Sequence, residues 1–323
     1  MTRAIRIHGV GGPEVMSFEQ VPTPQPGPNE VLLHHEAIGL NYIDVYFRTG
    51  FYKAPLPATI GMEGAGVVLA VGEHVTDLRP GQRVAYAGGP IGAYATERVI
   101  SADRLVKLPE TIDFTTAAAM MLQGMTAQYL LHRTYRVQKG QSILVHAAAG
   151  GVGLILCQWA SHMGVNVIGV VSTAQKAELA LANGAQHAII SHANLASEVR
   201  RITHGAMVPV VYDSVGRDTF AASLDCLAPL GMMASYGSAS GPVPPVDIAT
   251  LGAKGSLFLT RPSLASYTAS REELRAVSDD LFEAVISGAV KIQVNQTYAL
   301  ADAAAAHIAL EARRTTGSTV LLP

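Results

Sequence analysis

The chain has 323 residues, of which 49% are apolar and 15% charged, a composition typical of a folded protein with a large core. Its 23 basic and 25 acidic residues give a net charge of −2, so there is no basic surplus to bind nucleic acid phosphates. No apolar run is long enough for a signal peptide or a membrane-spanning helix, so we expect a cytoplasmic protein without membrane or nucleic acid partners.

The first third of the chain contains short β-like runs separated by Gly and Pro. This pattern predicts a compact, mostly antiparallel β domain with one short helix at Tyr42–Arg48. The closing VLLP is expected to return to this domain. The predicted strands are Ala4–His8, Glu30–Ala37, Gly66–Val71, Arg83–Ala87 and Ala93–Ile100.

From Phe114 onward, strands and helices alternate, which predicts an α/β fold with a doubly wound parallel sheet. We place a first domain at residues 1–124, completed by 266–323, and a second at 125–265. The predicted strands are Ser142–His146, Val165–Val171, Ala188–Ser191, Val208–Asp213, Gly231–Tyr236 and Gly255–Thr260. The predicted helices are Phe114–His132, Leu154–His162, Lys176–Asn183, Leu195–Thr203, Thr219–Cys226, Arg271–Ser287 and Ala301–Ala312.

A glycine-rich turn, Ala147–Gly153, follows the first strand of this alternation. It reads AAAGGVG and matches G-x-G-x-x-G loosely, with Ala148 in place of the first glycine. Between a strand and a helix, such glycines let a pyrophosphate reach the free N–H groups of the helix. Gly150 and Gly153 therefore predict a dinucleotide site, the alternative being a close helix–strand contact that needs small residues.

The end of the second strand distinguishes between the two nicotinamide cofactors. NAD sites usually have an Asp or Glu there to accept from the ribose 2′-hydroxyl, but this strand ends at Val171-Ser172. A 2′-phosphate needs hydroxyl donors and a cation, which Ser172, Thr173 and Lys176 supply at the next helix start. NADPH is therefore predicted, unless Lys176 is an ordinary solvated residue.

Four segments carry a resemblance to a known family. They are AIGLNYIDVYFRTGFY at Ala37–Tyr52, HAAAGGVG at His146–Gly153, VVYDSVGRDTF at Val210–Phe220 and GSLFLTRPSL at Gly255–Leu264. From end to end, the chain resembles the zinc-independent quinone oxidoreductases of the medium-chain dehydrogenase/reductase superfamily. The resemblance implies a GroES-like catalytic domain, a Rossmann domain and the reduction of quinones by NADPH.

The zinc ligands of related dehydrogenases are replaced in this sequence. Asn41 occupies the region of the first ligand, and Met62 stands where those relatives have a His. Two cysteines, Cys157 and Cys226, are too few for a four-cysteine zinc lobe, and no histidines form an HExxH-like pair. We expect buried thiols and no metal.

The resemblance also implies a set of site residues. Asn41, Tyr46 and Tyr52 are the expected catalytic residues, since an amide or a tyrosine hydroxyl can donate to a flat acceptor beside the nicotinamide. Tyr42, Tyr46 and Phe47 equally suit the apolar side of a short helix. Further cofactor contacts are expected at Tyr42, Tyr129, Gly151, Val152, Ser214, Tyr236, Gly237, Ser238, Arg261, Pro262, Ser263 and Arg313. For the two arginines, a structural salt bridge is an equal alternative.

One departure concerns the third strand, where the resemblance leads us to expect a Tyr and the chain has Ser191 beside His192. Without that ring the adenosine end of NADPH loses a partner, unless His192 replaces it.

Three functions remain open from the sequence. The first is quinone reduction, and the second is NADPH-dependent reduction of the double bond of enones or alkenals, with Tyr52 or a water polarising the carbonyl. The third is a cofactor-binding regulator or RNA-binding protein, which the near-neutral charge disfavours. The resemblance implies a homodimer, and the apolar strand Gly255–Thr260 is expected at a sheet edge, where it would pair with a second copy.

Overall fold

The structure, a computed structural model, describes residues 1–191 and 193–323. Its strands are β1 Thr2–Ile7, β2 Met16–Val21, β3 Glu30–Leu40, β4 Ala58–Thr59, β5 Glu63–Val71, β6 Arg83–Ala87, β7 Glu97–Ser101, β8 Val106–Lys107, β9 Ser142–His146, β10 Asn166–Val171, β11 His187–Ile190, β12 Val208–Asp213, β13 Leu227–Ser235, β14 Phe258–Thr260, β15 Val294–Ala299 and β16 Ser318–Leu322. Its helices are α1 Tyr42–Arg48, α2 Phe114–Tyr129, α3 Gly151–His162, α4 Ala174–Ala182, α5 Leu195–Ile202, α6 Phe220–Leu224, α7 Ile248–Ala253, α8 Leu264–Tyr267, α9 Arg271–Ile286 and α10 Ala303–Glu311.

The chain divides into two compact units. Unit 1 comprises Met1–Met125, Thr268–Ile286 and Ile292–Pro323. Unit 2 comprises Thr126–Tyr267 and Ser287–Lys291. The first passage from unit 1 to unit 2 falls within α2.

Unit 1 is rich in β structure, as predicted. Its larger sheet has the order β15-β16-β3-β5-β6-β8, with β7 also paired to β3, and its smaller antiparallel sheet has the order β2-β1-β4. Alternate apolar side chains of these strands form the core, among them Ile5, Leu33 and Tyr86. The closing strand β16 pairs antiparallel with β3, so the last strand of the chain belongs to the larger sheet of unit 1.

Unit 2 contains a six-stranded sheet in the order β11-β10-β9-β12-β13-β14, and all its paired strands are parallel. This is the 3-2-1-4-5-6 order of dinucleotide-binding domains, in which the order reverses beside the first strand. The prediction of a doubly wound parallel sheet is confirmed. So is the prediction that the strand ending at Thr260 lies at an edge.

Several predicted boundaries were wrong. The helix after the glycine turn begins at Gly151 rather than Leu154, because the turn glycines themselves form its first turn. The edge strand begins at Phe258 rather than Gly255. Gly255 and Ser256 have φ angles of +111° and +57°, values incompatible with a strand.

Around Cys226 the predicted helix was too long and the predicted strand too short. The helix predicted over Thr219–Cys226 is only Phe220–Leu224, since β13 begins at Leu227, four residues before the predicted Gly231. The sequence analysis did not predict β2, β15, α7 or α8. These elements are short or largely exposed, so their apolar pattern is weak.

Within the described part of the chain, no helix combines the length and the apolar character that a membrane span requires.

Candidate active site

The glycine turn of unit 2 is shaped by close contacts of its backbone. Ala147 has a left-handed φ of +50°, and the N–H of Gly150 donates to the Ala147 carbonyl oxygen at 2.9 Å. A Cβ at Gly153 would lie 2.2 Å from that same oxygen, so only glycine fits. Gly150 is the N-cap of α3 and provides no side-chain capping bond, which leaves the first N–H groups of α3 suited to a pyrophosphate.

The residues predicted to hold a 2′-phosphate follow β10, which ends at Val171. Ser172 and Thr173 are exposed, and the Thr173 hydroxyl oxygen caps α4 by accepting the Lys176 N–H at 3.2 Å. Ser191 follows the neighbouring strand, and its N–H donates to the Val171 carbonyl oxygen at 3.1 Å. Ser191 therefore lies beside the end of β10, whereas His192 lies outside the described residues.

The ends of β12 and β13 bring together another predicted group. A Cβ at Gly237 would lie 2.4 Å from the Ser214 carbonyl oxygen, so the two segments approach at backbone distance. The Arg261 guanidinium donates to the carbonyl oxygens of Ser235 and Gly237, both at 2.8 Å, and to the Ser238 hydroxyl at 3.3 Å. Arg261 thus holds the loop after β13 in place.

Three more predicted residues adjoin this loop. Tyr236 donates its N–H to the Asp213 carbonyl oxygen at 2.8 Å, and burial raises the pKa of its hydroxyl. After Arg261, Pro262 is buried and Ser263 is exposed at the start of α8.

Tyr129 ends α2 and is almost fully buried in unit 2. Its ring stacks on that of Tyr267, with centroids 4.3 Å apart and planes inclined by 4°. Burial raises the pKa of the Tyr129 hydroxyl, so it stays neutral. One face of Tyr129 is therefore occupied within the unit, which the sequence did not indicate.

In unit 1, the tyrosines predicted beside the acceptor lie together. The Tyr46 ring contacts those of Tyr42, Phe51 and Tyr52 at centroid distances of 5.5, 5.2 and 5.3 Å. The Tyr52 N–H donates to the Tyr46 carbonyl oxygen at 3.0 Å. We call these four residues the aromatic cluster. Its three tyrosines are partly exposed, which is compatible with a flat ligand.

Asn41 precedes α1 and is nearly buried. Its side-chain Nδ2 donates to Glu63 Oε2 at 2.6 Å, and its Oδ1 accepts from Gln123 Nε2 at 3.2 Å. Its backbone N–H donates to Asp44 Oδ2 at 2.9 Å. The amide that the sequence analysis assigned to catalysis is therefore held at both ends.

Two buried carboxyl groups near Asn41 were missed by the sequence analysis. Burial raises the pKa of Glu63 to about 8, although hydrogen bonds from Asn41 and the Leu122 N–H act against it. Burial raises the pKa of Asp44 to about 7, opposed by bonds from Asn41 and Tyr94. A signal for Glu63 was present, since it is the one charge within the small-residue segment GMEGAG.

A second buried group ties α1 to α10. Arg48 is fully buried, pairs with Glu311 at 2.7 Å and bonds to His307 Nδ1 at 2.9 Å. Arg313 follows α10 with a φ of +57°. Burial raises the pKa of Tyr42, the charge of Glu311 raises it further, and the charge of Arg313 acts in the opposite direction.

The predicted site residues thus form two groups. Asn41, Tyr42, Tyr46, Tyr52 and Arg313 belong to unit 1, and all the others belong to unit 2. Among residues 1–191 and 193–323, no three His, Cys, Asp or Glu side chains are grouped so that they could hold a metal ion.

A β-rich unit joined to a parallel sheet of this order, with a glycine turn after the sheet's first strand, defines the class of nicotinamide-dependent oxidoreductases. Family models agree with this class. Residues 27–110 match an alcohol dehydrogenase GroES-like domain, and residues 151–283 match a zinc-binding dehydrogenase.

Individual relatives are similar over the full length. A quinone oxidoreductase of Pseudomonas aeruginosa is 53% identical, with 100% of each chain covered. A 2-haloacrylate reductase of a Burkholderia species is 47% identical and covers 100% of this chain and 99% of its own. The crystal structure of Escherichia coli quinone oxidoreductase complexed with NADPH has a TM-score of 0.97 at 47% identity, covering 100% of both chains.

The chain belongs to the quinone oxidoreductase family of the medium-chain dehydrogenase/reductase superfamily. The predicted family and the predicted fold class, a GroES-like domain with a Rossmann domain, are both confirmed.

Proposed function

We propose that this protein is an enzyme that reduces quinones with NADPH and without a metal. The observation that carries the proposal is its full-length likeness to E. coli quinone oxidoreductase complexed with NADPH. The glycine turn supports the same conclusion, because its narrow backbone and the uncapped start of α3 fit a pyrophosphate.

In this proposal the residues of unit 2 bind the cofactor. The first N–H groups of α3, from Gly151 and Val152 onward, bind the pyrophosphate. Ser172, Thr173 and Lys176 bind the 2′-phosphate, since each can donate a hydrogen bond and the end of β10 has no carboxylate to repel it. When bound, NADPH supplies a hydride to the acceptor. Arg261 fixes the loop of Gly237 and Ser238 for this contact.

The residues of unit 1 orient the acceptor. The aromatic cluster offers ring faces and edges to a planar quinone, and the hydroxyls of Tyr46 and Tyr52 donate to its oxygens. The Asn41 amide has a second N–H beyond the one that Glu63 accepts, and it donates to a quinone oxygen. A proton from water balances the hydride and completes the hydroquinone. No Lewis acid is needed, because the reduced ring is aromatic.

A second candidate is reduction of an activated carbon–carbon double bond. The 47% identity to a 2-haloacrylate reductase favours it, because that relative covers this chain completely. Tyr52 is the side chain best suited to polarise the carbonyl of such an acceptor.

Turnover with purified, chelator-treated protein distinguishes the candidates. Oxidation of NADPH by 1,4-benzoquinone, without comparable oxidation by an alkenal or by 2-chloroacrylate, is the expected result. The reverse preference would establish the second candidate. Tight NADPH binding without turnover of any acceptor would contradict both and support a regulatory or RNA-binding role.

The protein is also proposed to be a homodimer. Strand β14 lies at the edge of the unit 2 sheet, with Phe258 57% and Leu259 37% exposed. An apolar edge strand of this kind pairs with another strand, here β14 of a second copy. Sedimentation as a monomer at micromolar concentration would contradict the dimer, and Leu259→Lys is expected to dissociate it.

A further inference from the structure

A chain of hydrogen bonds connects Glu63 to the closing strand of unit 1. Glu63 Oε2 accepts from Asn41 Nδ2 at 2.6 Å, and Asn41 Oδ1 accepts from Gln123 Nε2 at 3.2 Å. Gln123 Oε1 in turn accepts from the Ser318 hydroxyl at 2.6 Å. All four side chains are buried, so their polar groups depend on one another rather than on water.

At the Ser318 end of this hydrogen-bond network, the single hydroxyl proton of Ser318 has two possible acceptors. The Ser318 Oγ lies 2.6 Å from Gln123 Oε1 and 3.0 Å from the Ala119 carbonyl oxygen, yet a hydroxyl has a single hydrogen. If both amides are reversed, Gln123 donates to Ser318 and Ser318 donates to Ala119. Asn41 then donates to Gln123 and presents its oxygen to Glu63. An amide nitrogen and an amide oxygen are similar in size, so each reversal exchanges a donor for an acceptor at the same position.

The reversed chain requires a proton on Glu63. In the observed direction every neighbour donates to the Glu63 carboxyl group, including the Leu122 N–H at 2.8 Å, as a carboxylate requires. In the reversed direction Glu63 must itself donate to Asn41 Oδ1, as only the carboxylic acid can. The two directions of hydrogen bonding therefore correspond to the two protonation states of one side chain.

We propose that Glu63 is a positioning residue. Through the hydrogen-bond network that it forms with Asn41, Gln123 and Ser318, it sets the direction in which the Asn41 amide presents its N–H groups. This role rests on the proposed function of Asn41 as a donor to the acceptor oxygen. Ionised Glu63 holds the nitrogen of Asn41 in the donating arrangement, and protonated Glu63 reverses it.

The surroundings of Glu63 make both states accessible near neutral pH. Burial, and to a smaller extent the charge of Asp44, raises its pKa to about 8 against the hydrogen bonds from Asn41 and Leu122. A Cβ at Gly39 would lie 2.4 Å from Glu63 Oε2, so β3 leaves just enough room for the carboxyl group. Other groups that interact electrostatically with it are the hydroxyls of Tyr86 and Tyr94, and His35 and Arg98 hydrogen-bond to the Tyr86 hydroxyl.

The two tyrosines and His35 do not produce the same titration, and Asp44, whose pKa burial raises to about 7, titrates below the expected midpoint. Burial raises the pKa values of both tyrosines and lowers that of His35 to about 3, so all three remain neutral in the relevant pH range.

The test is the pH profile of kcat/KM for 1,4-benzoquinone in the wild type and in Glu63→Gln. In the wild type the value is expected to rise by about tenfold between about pH 6 and 10, with a midpoint near 8. The amide introduced by Glu63→Gln cannot ionise, so this rise is expected to disappear while NADPH affinity is retained. The matched control is Glu97→Gln, which changes a partly buried glutamate on β7 and should keep the wild-type profile.

Two further measurements make the proposal independent of a single variant. Ser318→Ala removes two bonds of the reversed arrangement, to Gln123 and to Ala119, but only one of the observed arrangement, to Gln123, so the midpoint should move to lower pH. Infrared difference spectra of wild type and Glu63→Gln should show a carboxylic acid carbonyl band that is lost above the midpoint. Parallel profiles in wild type and Glu63→Gln, or no such band, would overturn the positioning role. Absence of quinone turnover in the wild type would instead refute the proposed function.

Discussion

The two groups of site residues are built in opposite ways. In unit 2 the turn is defined by the absence of side chains, since a Cβ at Gly153 would lie 2.2 Å from the Ala147 carbonyl oxygen. In unit 1 Asn41 is defined by partners, because Glu63 and Gln123 hold the two ends of its amide. The first kind of site tolerates no added atom, whereas the second depends on charge and hydrogen-bond direction. Substitutions in unit 2 should therefore disrupt the site by steric collision, whereas substitutions in unit 1 should disrupt it by changing charge or hydrogen bonding.

The largest effect is expected from Gly153→Val. The added side chain collides with backbone atoms of Ala147 and Ala148, which cannot move aside as a flexible side chain could. NADPH affinity should fall by about 100-fold or more, as measured by fluorescence titration. Gly252→Ala is the control, since nothing lies within 4 Å of its added Cβ, and its affinity should be unchanged. Normal NADPH binding by Gly153→Val would refute the backbone-defined site.

The next effect concerns charge within unit 2. Lys176→Glu places a carboxylate where the proposal puts the 2′-phosphate, so the dissociation constant for NADPH should rise by about 10- to 100-fold while that for NADH changes little. Lys139→Glu alters an exposed cation elsewhere in the same unit and should affect neither cofactor. Equal losses for NADPH and NADH would contradict selection at the end of β10.

A pH-dependent effect on stability is expected in unit 1. Asp44 has a folded-state pKa raised to about 7 by burial, so its contribution to stability is complete below about pH 4 and is lost as the pH rises through 7. Asp44→Asn removes this loss. The melting temperature of the variant minus that of the wild type should therefore increase by about 3 °C or more from pH 5 to 9.

Asp103→Asn is the control for this experiment, because Asp103 is exposed in the same unit. The difference between its melting temperature and that of the wild type should not vary with pH. If the melting temperature of Asp44→Asn also differed from that of the wild type by an amount independent of pH, Asp44 would already be ionised in the folded protein at pH 5.

The smallest effect is expected at the stacked rings of unit 2. Tyr267→Leu removes the partner of Tyr129 and should lower stability by about 0.5–1.5 kcal/mol beyond the loss of buried area. Tyr267→Phe keeps the stack and loses only the hydroxyl that accepts from Thr134 at 2.8 Å, so it should be milder. Thermal unfolding of both variants measures the difference. If Tyr267→Leu and Tyr267→Phe were destabilised equally, the lost stability would come from the hydroxyl of Tyr267 and not from the stacked rings.

The same contrast explains which features the sequence predicted. The turn Ala147–Gly153 and the parallel sheet come from local patterns, namely glycine spacing and alternating apolar segments, and both were found. The start of β14 was misplaced because the positive φ angles of Gly255 and Ser256 depend on packing that no local pattern encodes.

The partners of Asn41 could not be predicted, because they are distant in the chain. Glu63 reaches Asn41 through the pairing of β3 with β5, and Ser318 reaches Gln123 only when β16 joins the sheet. The lone Glu in GMEGAG and the two glutamines, Gln123 and Gln128, in an Ala- and Met-rich helix were the available signals. The predicted set of site residues otherwise stays a prediction.

The position of β16 has a consequence for biosynthesis. This strand lies between β15 and β3 inside the larger sheet of unit 1, although its residues are made long after those of β3. Nearly all of unit 2, Thr126–Tyr267, leaves the ribosome earlier, and domains generally fold as units during synthesis. The second unit is therefore expected to reach its native structure first. Until Ser318–Leu322 have been made, Ile38–Leu40 of β3 lack this partner, because β7 pairs with β3 only at Glu30–His34, and chains stalled before Ser318 are expected to be prone to aggregate.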